Sequence, residues 1–346
     1  MNFDGNPEFF KSYSTIMVYI GLTGLDIFNQ KDKVQFKIKY FYVFYFFCHI
    51  TSMLSHWMYV VREFSNGTKL LEIPIDFSYS LLIFIQLFIK KDKIKEFVFK
   101  MEKEWRRDED LSSKLTSVKR KLVKQTDLYI KISCLSISIV CSIYLLNPLF
   151  MVLVNKFILH RNVSYTVALG LATPFNYEDN FLSYILNSTV SSMYGLGTRP
   201  CSQYFITISM DHLRVLFILI QDEFKEVICL PNDANKEKRF KETIQRHSRL
   251  LELLWDLNGT FGCLFAINYI FLSCTICFCV ISACTDGSLE DLKTLCISIL
   301  VIVNVFYCCR GGEYLVNSVI STAIYDAPWY ELPNQYRKDL IFIMSR

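Results

Sequence analysis

The stretch NGTFGCLFAINYIFLSCTICFCVISACT, residues 258–285, contains no charged side chain over 28 positions. An α-helix rises about 1.5 Å per residue and needs roughly 20 apolar residues to cross the hydrocarbon core of a bilayer. Few water-soluble folds tolerate several uncharged runs of this length, and apolar residues make up 52% of the whole chain. The stretch therefore predicts a membrane-spanning helix within an all-α membrane protein.

Five further apolar segments predict five more spans; three hold no charged residue, one holds only Asp76 and one only Arg199. They are residues 40–61, 73–89, 132–155, 181–210 and 294–309. The segment 181–210 continues as apolar sequence to Ile220, which is too long for one crossing. We therefore expect a fourth helix that projects well beyond the membrane, in a polytopic membrane helix bundle with six full spans.

The distribution of Lys and Arg predicts the orientation of this bundle. Five basic residues precede the first span, fourteen lie in residues 90–131 and seven lie in residues 221–257. The alternate loops hold two, two and none, in residues 62–70, 156–180 and 285–291. Cytoplasmic loops carry the positive excess, so the N-terminus is predicted to be cytoplasmic. Glycosylation acceptor patterns at Asn66 and Asn162 agree, because both lie in loops predicted to be outside.

The motifs of common enzyme classes are absent from the sequence. It has no glycine-rich phosphate loop, no zinc-protease helix and no nucleophile elbow. Cysteines such as Cys274 and Cys308 lie within or at the end of apolar runs and lack the paired spacing of zinc sites. His49 and His56 share one face of the first span and are interpreted as interhelical hydrogen-bonding groups. These observations predict no enzyme activity, no metal, no cofactor and no nucleic-acid partner.

Two groups of charged residues lie on the predicted cytoplasmic side. Residues 105–125, WRRDEDLSSKLTSVKRKLVKQ, mix both signs of charge and are interpreted as a solvated helix below the membrane. Asp211 and Arg214 are three residues apart on the inner part of the fourth helix, and this spacing predicts that they pair with each other.

Candidate ligand-binding residues lie in the outer halves of spans two, three and four. Aromatic, Met and small hydroxyl side chains facing a cleft between helices suit a small, mostly apolar ligand with one or two polar atoms. Ordinary helix packing is the alternative interpretation for each of them. The candidates are Phe77, Tyr79, Ser80, Tyr144, Pro148, Met151, Tyr184, Ser188 and Ser191.

The last 36 residues, GGEYLVNSVISTAIYDAPWYELPNQYRKDLIFIMSR (311–346), carry the most specific pattern. A Gly-Glu pair is followed at set spacing by Tyr, Trp, Leu-Pro, Arg-Lys and Met-x-Arg, which resembles the C-terminal signature of insect odorant receptors. The matching residues are Gly312, Glu313, Tyr325, Trp329, Leu332, Pro333, Arg337, Lys338 and Met344–Arg346.

The resemblance implies an odour-tuning subunit of a heteromeric, ligand-gated, non-selective cation channel. Its implied partners are the odorant receptor co-receptor, a small volatile organic ligand and membrane lipid. Its implied location is the cell membrane of sensory-neuron dendrites. The matching tail residues, Gly312 to Lys338, would form an anchor at which subunits meet. In that family the signature leads into a pore-lining seventh helix, so only the cytoplasmic part of that helix is expected here. The chain is therefore expected to be C-terminally truncated, as an incomplete gene model, a decayed allele or a real isoform.

Three parts of the chain follow from these inferences. Residues 1–39 form a cytoplasmic N-terminal segment. Residues 40–220 hold helices one to four, the outer ligand pocket and the cytoplasmic loop 90–131. Residues 221–346 hold a cytoplasmic extension, helices five and six and the C-terminal anchor. Two alternatives stay open: a gustatory receptor-type ligand-gated channel, and a membrane-embedded transporter or enzyme.

Overall fold

A computed structural model gives the fold of most of the chain. It describes residues 6–23, 72–160, 181–231, 234–283, 289–317 and 324–344, together with Ile27, Ile50, Leu54 and Trp57. The predicted glycosylation sites Asn66 and Asn162, and the histidines His49 and His56, lie outside the described residues.

Seven α-helices account for most of the described residues. They are α1 (Pro7–Thr23), α2 (Glu72–Glu104), α3 (Ser113–Leu153), α4 (Phe181–Cys229), α5 (Ala234–Ala283), α6 (Leu289–Asn317) and α7 (Asn334–Met344). Three single turns join or extend them, the 3₁₀ turns Asp108–Asp110 and Trp329–Glu331 and the π turn Val154–Ile158. No β-strand occurs among the described residues, in agreement with the predicted all-α fold.

The four central helices are longer than a bilayer crossing requires. Helices α2, α3, α4 and α5 contain 33, 41, 49 and 50 residues, whereas about 20 suffice for one span. Helix α4 thus has the extended length predicted from its sequence. Within the described residues, Ser202–Cys229 and Asn235–Cys277 are long and apolar enough to cross a membrane. The number of spans and their orientation stay predictions.

Four helix ends meet at one end of the bundle. Residues 105–112 connect α2 to α3, and residues 230–233 connect α4 to α5. Glu223 of α4 accepts a hydrogen bond from Arg246 of α5 at 2.8 Å and pairs with Arg106 at 2.6 Å. Glu104 of α2 pairs with Arg249 of α5 at 2.6 Å. This network joins α2, α4 and α5 at what is called the inner end below, since the charge pattern predicts it to be cytoplasmic.

Helix α4 lies at the centre of the bundle. It packs against α1, α2, α3, α5 and α6. In its most apolar stretch of 18 residues 83% is buried, whereas in the corresponding stretch of α5 only 28% is buried. The buried Thr207 is tolerated there because its hydroxyl donates to the carbonyl of Gln203 at 2.9 Å. The two helices are nearly equal in length, but α5 keeps apolar side chains such as Ile270 exposed, as a lipid-facing helix does.

Candidate functional site

Tyr79, Ser202 and Asn268 form a buried polar cluster where α2, α4 and α5 meet. The Tyr79 hydroxyl donates to Asn268 Oδ1 at 2.6 Å, and the Ser202 hydroxyl donates to the same oxygen at 3.3 Å. All three side chains are buried, and the Tyr79 ring lies 5.6 Å from that of Phe271. Tyr79 points inward because the apolar residues of α2 recur at helical spacing on one face, from Tyr79 through Ile83 and Leu87.

The cluster contains one residue of the predicted ligand site and borders another. Ser80, the next residue of α2, is also buried, and Ser78 accepts a hydrogen bond from Trp57 Nε1 at 3.2 Å. The side chains of the other candidates are outside the described part of the chain. These candidates are Phe77, Tyr144, Pro148, Met151, Tyr184, Ser188 and Ser191.

Asn268 and Ser202 were not among the predicted site residues, although Asn268 left a signal in the sequence. It is an amide in the middle of an uncharged run of 28 residues. A polar side chain at such a position needs a partner, because hydrocarbon offers none. The sequence does not identify that partner, since Tyr79 lies 189 residues away.

Lys119 is the centre of a second cluster, at the inner end. Its side chain is completely buried, and Nζ lies 3.0 Å from Glu8 Oε2, 2.9 Å from Asp108 Oδ1 and 2.6 Å from the carbonyl oxygen of Arg106. All three donors of the ammonium are therefore satisfied. The interpretation of residues 105–125 as a solvated helix is wrong at this point, because helix α1 and the 105–112 connection cover Lys119.

Helix α1 is held to α4 by aromatic packing next to this Lys119 cluster. The rings of Phe9, Tyr13 and Trp105 surround His212 of α4, with centroid distances of 4.9, 5.4 and 4.8 Å. The Tyr13 hydroxyl lies 3.4 Å from the Ser209 hydroxyl. Aromatic pairs at such distances stabilise beyond the burial of their apolar area, so helix α1 is an integral part of the inner end.

Asp211 and Arg214 do not form the predicted ion pair. Asp211 Oδ2 instead accepts a hydrogen bond from the Thr126 hydroxyl of α3 at 2.7 Å. The guanidinium of Arg214 lies over the ring of Tyr314 on α6, 4.2 Å from the centroid. The prediction was wrong because each side chain found a partner on a neighbouring helix, which spacing along one helix does not reveal.

The C-terminal signature residues lie in α6, in the described residues 324–333 and in α7. Gly312 and Glu313 are in α6, which continues to Asn317. Trp329 begins the 3₁₀ turn, Leu332 is buried and Pro333 directly precedes α7. Tyr336 of α7 packs on Phe240 of α5 at a centroid distance of 4.7 Å, which attaches the tail to the inner end.

Other signature side chains remain accessible. Tyr325 is 73% exposed and Lys338 is also exposed, while Arg337 is half-buried. Tyr330, Ile341 and Phe342 add exposed apolar area to the same segment. Among the described residues, no group of three His, Cys, Asp or Glu side chains is placed to hold a metal ion.

Comparison with known proteins identifies the family. The family model described as 7tm Odorant receptor matches residues 71–346. Odorant receptor 22c of Drosophila melanogaster is 21% identical over 137 residues, 39% of this chain and 34% of the relative. Odorant receptor 85c of the same species is 24% identical over 200 residues, 56% of this chain and 51% of the relative. The chain thus matches about half or less of the length of these relatives.

A solved structure has the same fold. It is the insect olfactory receptor OR5 from Machilis hrabei in complex with eugenol, with a TM-score of 0.76 and 11% sequence identity. The alignment covers 98% of this chain and 90% of that receptor. The structural match confirms the predicted all-α membrane helix bundle. The matched family consists of receptors, which confirms the prediction that the chain is not an enzyme. The chain belongs to the 7tm odorant receptor family.

Proposed function

We propose that this chain is the odour-binding subunit of a ligand-gated, non-selective cation channel formed with the odorant receptor co-receptor. Its proposed location is the dendritic cell membrane of sensory neurons. Family membership supports the receptor function. The similar receptor from Machilis hrabei was solved with eugenol, a small phenol, which supports a ligand of that size and polarity.

The observation that carries the proposal is the hydrogen bonding of Asn268. Its Oδ1 accepts bonds from both Tyr79 and Ser202, and its amide nitrogen donates none within the described part of the chain. An amide nitrogen with unused donors, beside the aromatic rings of Tyr79 and Phe271, suits a small apolar molecule with one acceptor oxygen. The proposed ligands are therefore volatile esters, ketones, aldehydes and phenols.

The remaining predicted residues complete this proposal. The volatile would contact Tyr79 and Ser80 on α2, with further contacts from the other helices. Those contacts are assigned to Tyr144, Pro148, Met151, Tyr184, Ser188 and Ser191, and Phe77 is a further proposed contact on α2. Ligand binding would favour one arrangement of α2, α4 and α5, which lie around Asn268 and reach the inner end.

The C-terminal signature is proposed as the contact between subunits. Exposed Tyr325 and Tyr330 and the exposed face of α7 offer aromatic and apolar area of the kind found at protein interfaces. Gly312, Glu313, Arg337 and Lys338 lie in the same segment. Replacing Tyr330 by Ser is expected to reduce co-purification with the co-receptor, while the exposed Ile270→Ser on α5 leaves it intact.

The test of odorant gating uses the receptor expressed from its complete open reading frame together with a co-receptor. Cation current is recorded while a panel of volatiles with and without acceptor oxygens is applied. We expect Asn268→Leu to lower the potency of oxygen-bearing volatiles by about 3- to 10-fold, as the loss of one neutral hydrogen bond predicts. Hydrocarbons of equal size should change less.

The matched control is Ile270→Leu, a substitution two residues away on the exposed face of α5. It should leave both classes of volatile unchanged. A receptor that reaches the cell surface with its co-receptor, yet carries no current with any volatile, would contradict the proposed function. Equal potency losses for oxygen-bearing volatiles and hydrocarbons in Asn268→Leu would contradict the role of Asn268.

A further inference from the structure

A cavity of about 250 Å³ lies at the inner end between α3, α4 and α6. Its polar lining includes Thr126 of α3, Asp211 and Arg214 of α4, and Arg310 and Tyr314 of α6. It is called the arginine pocket below. It is separate from the buried polar cluster around Asn268, because none of the cluster residues lines it.

Two guanidinium groups share one aromatic ring in this pocket. Arg214 lies 4.2 Å and Arg310 lies 5.0 Å from the centroid of the Tyr314 ring. Such cation–π contacts orient a guanidinium without using its N–H donors. Asp211 attracts both guanidinium groups at longer range, but among the described residues no acid forms a salt bridge with either of them within 4.0 Å.

The acid of the pocket is partly engaged elsewhere. Asp211 Oδ2 accepts the Thr126 hydroxyl at 2.7 Å. Two guanidinium charges against one carboxylate leave the pocket with a net positive charge. Two like charges held close together repel each other. An anion between them offsets this repulsion and accepts hydrogen bonds from the guanidinium N–H groups. The polar part of the pocket therefore matches an anionic group with several oxygens, such as a phosphate.

The position of the pocket along the helices indicates that its ligand also has an apolar part. Arg310 directly follows the uncharged run 294–309, and Lys131 directly precedes the uncharged run 132–155. The pocket thus lies at the predicted boundary between the hydrocarbon core and the cytoplasm. Leu128 and Ile132, both more than half exposed, line it on α3.

Exposed apolar side chains continue from the pocket along both helices toward the predicted membrane. On α3 they recur at helical spacing as Leu128, Ile132, Leu135 and Ile139, and on α6 as Phe306, Val303, Ile302 and Ile299. A phosphate-binding pocket that opens onto two apolar stripes is complementary to a phospholipid. The headgroup would occupy the pocket, and the acyl chains would lie along the stripes.

We propose that the arginine pocket binds the phosphate-bearing headgroup of an anionic phospholipid of the inner leaflet. Arg214 and Arg310 donate to the phosphate oxygens, and the acyl chains lie along the exposed stripes of α3 and α6. Because the pocket joins α3, α4 and α6, an occupied site holds these three helices together at the inner end. The proposal does not depend on which odorant the receptor recognises.

Binding is measured with purified receptor in nanodiscs of phosphatidylcholine, titrated with a fluorescent short-chain phosphatidylinositol bisphosphate. Arg310→Gln and Arg214→Gln should each weaken binding by about tenfold, since a charge-assisted bond to phosphate is lost. Arg310 is exposed, so its replacement leaves no buried gap and serves as the second variant should Arg214→Gln fold poorly.

The control is the double substitution Lys91→Gln and Lys93→Gln. It removes two exposed positive charges from the inner part of α2, away from the pocket. A change of less than twofold in this control supports a defined site. An equal loss in the control and in the arginine variants would overturn the proposal, because it would show general attraction of anionic lipid to a basic surface.

Competition identifies the source of the phosphate. Soluble inositol phosphate and inorganic phosphate, each at a hundredfold excess over the fluorescent lipid, should displace little of it, because they lack acyl chains. Full displacement by either would overturn the assignment to a lipid and leave a site for a free anion. Unlabelled phosphatidylinositol bisphosphate should displace the probe completely, and failure to do so would also contradict the proposal.

Discussion

Two charged sites at the inner end, both built partly on α3, show opposite ways of placing a cation. Lys119 is completely buried, and each of its donors has an oxygen partner within 3.0 Å. Arg214 and Arg310 are accessible and stack on one tyrosine ring instead of an acid. A buried charge that is fully paired serves the fold, whereas accessible charges without an acid in contact are available to a ligand. The predictions below test that division.

The largest effect is expected from replacing Lys119 by Met. The change removes the buried ammonium that pairs with Glu8 and Asp108, and breaking a buried pair by removing one partner costs about 3–5 kcal/mol. We expect the lower end of that range, since both acids keep some contact with water. The measurement is the midpoint of thermal unfolding of the purified receptor.

Lys121→Met provides the matched control for this prediction. Lys121 is an exposed lysine on the same helix, two residues away, and its replacement should change stability by less than about 0.5 kcal/mol. Equal midpoints for the two variants would show that the buried lysine contributes no more than a surface lysine does.

A smaller effect is expected from Tyr79→Phe in the buried polar cluster. The substitution removes the 2.6 Å hydrogen bond to Asn268, whose oxygen keeps the bond from Ser202. Because one acceptor bond is lost and no group is left wholly unpaired, the expected cost is about 1 kcal/mol. Tyr325→Phe, at an exposed position, should be neutral. An unfolding midpoint for Tyr79→Phe equal to that of the wild type would show that this hydrogen bond contributes nothing to stability.

The helices themselves follow from the sequence, because their pattern is local. A long apolar run predicted α4 and its extended length. Partners were not predictable in this way. Thr126 and Asp211 are separated by 85 residues, and Lys119 and Glu8 by 111. Such contacts depend on which helices pack together, and residue spacing along one helix carries no information about that.

The pH dependence of the Lys119 cluster gives a third prediction. Burial of Asp108 opposes its ionisation, but hydrogen bonds from Lys119 and Arg120 outweigh that effect and hold the pKa of the carboxyl below its usual value. The stability it contributes is fully present above the unfolded pKa of about 3.9 and is lost as the pH falls through the folded pKa. Asp108→Asn should therefore flatten the decrease in unfolding midpoint between pH 5 and pH 3. Parallel curves for the variant and the wild type would contradict this sign.

The smallest effect on stability is expected from Arg310→Gln, and it tests the other half of the comparison. The side chain is exposed and belongs to no ion pair among the described residues, so its loss should change the free energy of unfolding by less than about 0.5 kcal/mol in neutral lipid. Adding anionic phospholipid should raise the midpoint of the wild type, because a ligand that binds only the folded state stabilises it. The variant should show a much smaller rise. If anionic lipid raised both midpoints equally, Arg310 would not bind the lipid, and the arginine pocket would have only a structural role, as the Lys119 cluster has. A rise confined to the wild type would show that Arg310 binds a ligand, whereas Lys119 stabilises the fold.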